Sequence, residues 1–197
     1  MRYDSTHKQQ TRTKVLEAAA KAIRLSGPER VGVAGVMADA GLTHGGFYAH
    51  FASKDDLVAA VIGHMFEQMR ARLLRETEGR GTAEGLAAYI DFYLSRRHRD
   101  ARDLGCPIAA LASDLPRLGD AARAIYADGV SGLAAELGAM LGEIGHDDAA
   151  TLGRSVVAEL VGALALARAE PDARRSDATL AASRHHLKRR LGLESRS

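Results

Sequence analysis

The residues best suited to chemistry lie between Thr43 and Lys54. Thr43, Tyr48, His50 and Lys54 supply a hydroxyl, a phenol, an imidazole and an ammonium in one short stretch. Such groups bond phosphate oxygens, and those contacts set a protein's register on a nucleic acid and make its affinity salt-dependent. Between them, His44-Gly45-Gly46 reads as the first turn of a short helix. Two glycines there cost roughly 1 kcal/mol each relative to alanine, which a helix built only for stability would rarely accept. Small residues at a helix start let its backbone press into a groove, with free N–H groups that attract phosphate. Base-edge contacts are expected from Thr43, His44 and the Gly45/Gly46 surface. Taken singly, each side chain has an ordinary alternative: Tyr48 half-buried in a core, His50 and Lys54 solvated. The combination points to duplex DNA.

Helices must position these groups. Val15, Leu16, Ala19, Ala20 and Ile23 recur at helical spacing from Lys8 to Leu25, and Ser26-Gly27-Pro28 stops that helix. Val33–Ala40 predicts a short second helix closed by Gly41, a position suited to φ > 0, with Leu42 plugging the angle. Thr43 is the natural N-cap of a third. Helix, tight turn, helix has the dimensions of a helix-turn-helix. Ser53 with Asp56 has the shape of a capping box and opens a longer helix carrying Leu57, Val61, Ile62, Met65 and Phe66. Helices are further expected over Thr82 to about Arg97, from Pro107 to a break or kink at Pro116, and over 118–142, 148–169 and 173–191. No run alternates with period two. The fold class is all-α, with about nine helices.

Composition narrows the rest. The 197 residues are 46% hydrophobic, enough for a proper core and too much for a disordered chain. No segment reads as the ~18 apolar residues of a membrane span, and the first residues lack the apolar stretch of a signal peptide. A single cysteine, Cys106, excludes a disulfide scaffold. These observations lead to the expectation of a cytoplasmic protein without a membrane partner. The net charge of +2 conceals a division, because residues 1–54 hold eight basic and four acidic side chains. A basic head on a slightly acidic body suits a polyanionic partner for the head.

Gly41-Leu42-Thr43-His44-Gly45-Gly46-Phe47-Tyr48-Ala49-His50-Phe51-Ala52-Ser53-Lys54-Asp55-Asp56-Leu57 closely resembles the DNA-binding signature of the TetR/AcrR family of transcriptional regulators. The resemblance covers about residues 8–67 and implies a helix-turn-helix domain there, with a helical effector-binding and dimerisation domain over 68–197. It further implies a homodimer on a palindromic operator, usually a repressor, released by a small ligand. By matching position, Thr43, Gly45, Tyr48, His50 and Lys54 carry over as DNA-contacting or helix-positioning residues. Gly32 stands where many members have a threonine cap, and Gly46 replaces a frequent threonine, leaving base reading there to the backbone or His44. Arg12, with Lys8 and Lys14, is expected to reach phosphates or a minor groove from the first helix, or simply to be solvated.

The body must form a pocket and dimerise. Leu152, Val156, Leu160 and Leu164 line one face of 148–169, with Gly153 and Gly162 allowing close approach, and Leu180 and Leu187 follow in the last helix. These nominate an intersubunit four-helix bundle, against the alternative of an ordinary core. Tyr89, Phe92 and Tyr93 cluster on one helix, and with Met65, Met69, Tyr126 and Met140 they suggest an adaptable apolar pocket or plain packing. Cys106, at a predicted helix N-terminus, is expected either to be a thiolate or to be a small buried hydrophobe. Its Gly-Cys pair is similar to that of TetR-like regulators that sense electrophiles or oxidants. Nothing in the sequence asks for a cofactor or metal, and His185-His186 is too close and isolated for one. A small all-α enzyme is the alternative reading, but it lacks a Ser/His/Asp order, a metal-ligand spacing and a phosphate loop.

Overall fold

The computed structural model describes residues 2–194 as nine α-helices and three 3₁₀ segments, with no strand among the described residues. Helix α1 (Arg2–Ser26) buries Val15, Ala19, Ala20 and Ile23. It ends at Gly27, whose N–H still reaches the Ile23 carbonyl at 2.8 Å while its φ of 81° turns the following chain out of the helix. Helix α2 (Val33–Asp39) contributes Val36 and Met37 to the same small core. Gly41 takes φ 72°, as its place in the turn predicts, and the Leu42 N–H then reaches the Met37 carbonyl at 2.8 Å.

The third short helix is 3₁₀, His44–Ala49. Its i→i+3 bonds, from Gly46 N–H to the Thr43 carbonyl and from His50 N–H to the Phe47 carbonyl, tighten a turn whose two glycines propagate an α-helix poorly. Helix α3 (Lys54–Thr77) starts with the expected cap: the Asp56 N–H donates to Ser53 Oγ at 3.1 Å. The reciprocal bond reaches one residue further back, from the Ala52 N–H to Asp56 Oδ2 at 3.0 Å. This 24-residue helix packs on α1 at one end and runs into the body at the other.

The expected helix over Thr82 to Arg97 divides into α4 (Thr82–Tyr93) and α5 (Arg96–Asp100). The Ser95 hydroxyl competes with helix continuation, donating to the Phe92 carbonyl at 2.7 Å while accepting the His98 N–H at 3.1 Å. A 3₁₀ segment (Arg102–Leu104), helix α6 (Pro107–Leu111) and another 3₁₀ segment (Leu115–Arg117) lead to α7 (Asp120–Glu143), α8 (Ala149–Ala169) and α9 (Ala173–Arg190). Pro107 sits in the first turn of α6, where its missing N–H costs nothing.

The packing of α8 revises the expected interface. Val156, Leu160, Leu164, Leu180 and Leu187 are buried inside the single chain, and Leu152 is half-buried against the same core. Gly153 faces α7 of its own chain so closely that a Cβ would collide with the Ala134 carbonyl. These side chains form an intramolecular seam, because α8 lies between α7 and α9 and gives them its large apolar face. The opposite face carries Thr151, Ser155, Ala158, Gly162, Ala165 and Ala169, all small and all exposed except half-exposed Gly162. By length and composition α8 is also apolar enough to cross a membrane, contrary to expectation, with a mean hydropathy of 1.5 over its best window. That hydropathy belongs to a helix packed between two others.

Candidate nucleic-acid interface and small-molecule cavity

The head is assembled around Phe47 and Phe51, both buried and stacked with centroids 5.6 Å apart. Anchoring these two rings in the core turns the residues between and before them outward. Tyr48 is 72% exposed, its ring edge-on to Phe47 at 5.2 Å. Thr43, His44 and Gly45 are exposed beside it, and Gly46 is half-buried over Met37. Thr43 occupies the N-cap position with extended backbone, but its hydroxyl makes no cap bond. The 3₁₀ turn thus presents a small-residue surface flanked by a free hydroxyl, an imidazole and a phenol.

Three predicted contacts are partly engaged inside the protein. Arg12 Nη1 donates to the His50 carbonyl, and its guanidinium lies 4.3 Å from the Phe51 ring centroid. Arg12 therefore ties α1 to the end of the 3₁₀ turn instead of reaching outward as expected. His50 is half-buried, with Nδ1 buried and unpartnered among the described residues. Burial, with Lys8 and Arg12 nearby, lowers its pKa and keeps the ring neutral at neutral pH. Lys54 Nζ donates to the Glu29 carbonyl at 3.0 Å, pinning the loop before α2 while the side chain stays exposed.

A cavity of about 290 Å³ lies where the end of α1, the middle of α3, α4, α5 and the Ala101–Cys106 segment meet. Met69, Phe92, Leu104 and the two tyrosine rings Tyr89 and Tyr93 give it an apolar side. Gln68, Arg24, Arg72, Arg75 and Arg97 give it a polar one. Arg72 pairs with Glu76 at 3.2 Å and stacks on Phe92 at 4.4 Å. Both tyrosine hydroxyls are buried; that of Tyr89 has no hydrogen-bond partner among the described residues, and that of Tyr93 faces the Cys106 thiol. Burial raises both their pKa values, so they remain neutral donors.

Residues 15–61 match the model of a family described as bacterial regulatory proteins, tetR family. Solved structures agree along the whole chain. The reduced form of Escherichia coli NemR is 22% identical with a TM-score of 0.80, over 91% of this chain and 96% of that one. A TetR-family regulator from Agrobacterium tumefaciens is 25% identical with a TM-score of 0.78, over 92% and 98%. Another from Chloroflexus aurantiacus is 23% identical with a TM-score of 0.80, over 95% and 96%. No curated protein matches the sequence. Residues 15–61 thus carry a tetR-family DNA-binding domain, and the chain as a whole shares the fold of TetR-family regulators. It is a DNA-binding regulator of transcription whose helix-turn-helix is the head just described.

Of the residues nominated for a pocket, Met69, Tyr89, Phe92, Tyr93 and Cys106 line this one cavity. Met65 does not: it lies one turn before Met69 on the same side of α3 and is fully buried in the core, outside the cavity wall. Tyr126 lies elsewhere, donating to the Ile108 carbonyl at 3.2 Å and packing edge-on to Phe66, and Met140 packs half-buried on the core. The cavity's arginines have no counterpart among the residues the sequence nominates for a pocket. Gln68, Arg72 and Arg75 recur with Met69 at helical spacing on α3, a signal that an apolar search passes over.

Cys106 is 3% exposed, and burial raises its pKa, so of the two expectations it is the small buried hydrophobe, a protonated thiol and not a thiolate. Desolvation outweighs the dipole of a five-residue helix. Its backbone is held by His98, whose Nε2 accepts the Cys106 N–H at 3.2 Å while Nδ1 donates to the Tyr93 carbonyl at 2.8 Å. These two bonds fix one neutral tautomer, and burial pulls the His98 pKa down to about 4.

Proposed function

We propose that this chain is a homodimeric repressor that binds a palindromic operator through the 3₁₀ turn of each protomer. A small molecule bound in the cavity releases it. The observation that carries the reading is the outward surface of Thr43, His44, Gly45 and Tyr48, held rigid by the buried Phe47 and Phe51. Thr43, His44 and the glycine backbone read base edges, and Tyr48 and Lys54 contact phosphate. His50 and Arg12 position the turn. The reading domain spans residues 8–67, and 68–197 bind the effector and dimerise.

The small-residue faces of α8 and α9, with Ala158, Gly162 and Ala165 on one and Ala181 on the other, form the intersubunit bundle. Only a third of the apolar α8 window is buried in one protomer, which leaves this face to a second copy. A dimer reads half-sites about 34 Å apart, so an effector need only favour a state with mis-spaced heads. The cavity is well placed for that, since Arg24 belongs to α1 of the head and Gln68 to the helix that joins head to body. A buried thiol favours reversible ligand binding over an electrophile as the releasing signal.

A gel-shift titration tests this. A duplex from upstream of the protein's own gene should bind as a dimer, with affinity falling steeply as salt rises. Absent or salt-independent binding would overturn the reading.

A further inference from the structure

We propose that the cavity takes a small organic anion, a carboxylate on a flat or chain-like apolar body, anchored by Arg24. This rests on the cavity being the effector site and names the chemical class of the effector. Arg24 is the unusual residue. It is 6% exposed, yet no described carboxylate forms an ion pair with it. Its Nη2 donates to Gln68 Oε1 at 2.9 Å, Nη1 makes a long 3.4 Å bond to the Asp103 carbonyl, and Nε is buried with no partner. The Asp103 carboxylate lies instead 3.9 Å from Lys21. Burial lowers the Arg24 pKa to about 10, which leaves it charged at neutral pH.

Buried cations are ordinarily paired, because desolvation is otherwise uncompensated. Here the remaining polar groups add to the imbalance. Arg75 and Arg97, exposed at the cavity wall, form no ion pair among the described residues, and no acidic side chain lines the cavity. The Tyr89 hydroxyl is a further buried donor without an acceptor. A carboxylate supplies the missing charge and accepts from the guanidinium in the bidentate geometry that arginine favours. Met69, Phe92 and Leu104 then cover an apolar body. The volume of about 290 Å³ sits at the low end for small-molecule sites, which excludes bulky ligands.

Calorimetry on the full chain tests this with 2-naphthoate and octanoate against their neutral amides. The acids should bind at least about tenfold more tightly than the amides, with affinity falling as NaCl rises. Arg24→Gln should erase that preference. Should Arg24→Gln fail to fold, the acid-to-amide ratio of the unaltered protein still decides, and Arg97→Gln at the exposed wall should narrow the ratio about two- to threefold. Equal affinity for acid and amide, an undiminished preference in Arg24→Gln, or no binding of any probe overturns the inference. Gel shifts on the same samples separate the two readings. Operator binding without acid preference sinks only the anion site, and acid preference without operator binding sinks only the repressor.

Discussion

Tyr48 stands on the outer side of the 3₁₀ turn while its neighbours Phe47 and Phe51 are locked inside, so its substitution separates recognition from folding. Tyr48→Ala removes an exposed ring and should change stability by no more than about 0.5 kcal/mol. It should weaken operator binding by roughly tenfold, a loss of about 1.4 kcal/mol. Lys54→Ala should lower the slope of log affinity against log salt by about one, as loss of one phosphate contact does. Both are read by gel shift beside a denaturation curve, and unfolding of Tyr48→Ala would mark the ring as structural. His98 makes a different prediction. Its folded-state pKa of about 4 lies below the ordinary 6.5, so the unfolded chain takes up the proton first as pH falls. Stability held above pH 6.5 should drain away between about 6.5 and 4, by on the order of 3 kcal/mol. Urea unfolding across that range measures it, and His98→Gln should flatten the profile.

Among the helices, two kinds of glycine behave oppositely. Gly153 lets α8 lie on the backbone of α7, where a Cβ would strike the Ala134 carbonyl and come within 2.8 Å of the Gly138 nitrogen. Backbone cannot swing aside as a side chain can, so Gly153→Ala should destabilise by about 1–3 kcal/mol despite alanine's better helix propensity. Gly132 on α7 is exposed with nothing within 4 Å of a Cβ, and Gly132→Ala should gain up to about 1 kcal/mol. Thermal denaturation of the pair checks both signs. Helix ends were legible because they are local: Gly27 and Gly41 take positive φ where the sequence stops a helix, and Ser53 caps α3. Ser95 was harder to read, since a hydroxyl inside an apolar pattern breaks the helix only when it turns back on the Phe92 carbonyl.

For the whole molecule, the proposed dimer is tested at Ala158, exposed on the outer face of α8 and remote from the seam with α7. Ala158→Arg should leave the protomer folded, shift the sedimenting species to a single 21.0 kDa chain, and abolish cooperative binding to a two-half-site duplex. An unchanged dimer would move the interface elsewhere. By itself the sequence determined most of the helices, the Ser53 cap and the DNA-binding signature from Gly41 to Leu57, because periodicity, capping and turn chemistry act over a few residues. It also placed Tyr89, Phe92 and Tyr93 together, since spacings of three and four residues put the three rings on one side of a single helix. Only the tertiary structure decided which apolar face of α8 is spent inside the chain and which small-residue face is left over. It alone brought Arg24 of the head against Gln68 and the tyrosines of the body, and it made Cys106 a thiol. Burial and long-range pairing depend on which helices meet, and an apolar stripe or a lone arginine does not name its neighbour.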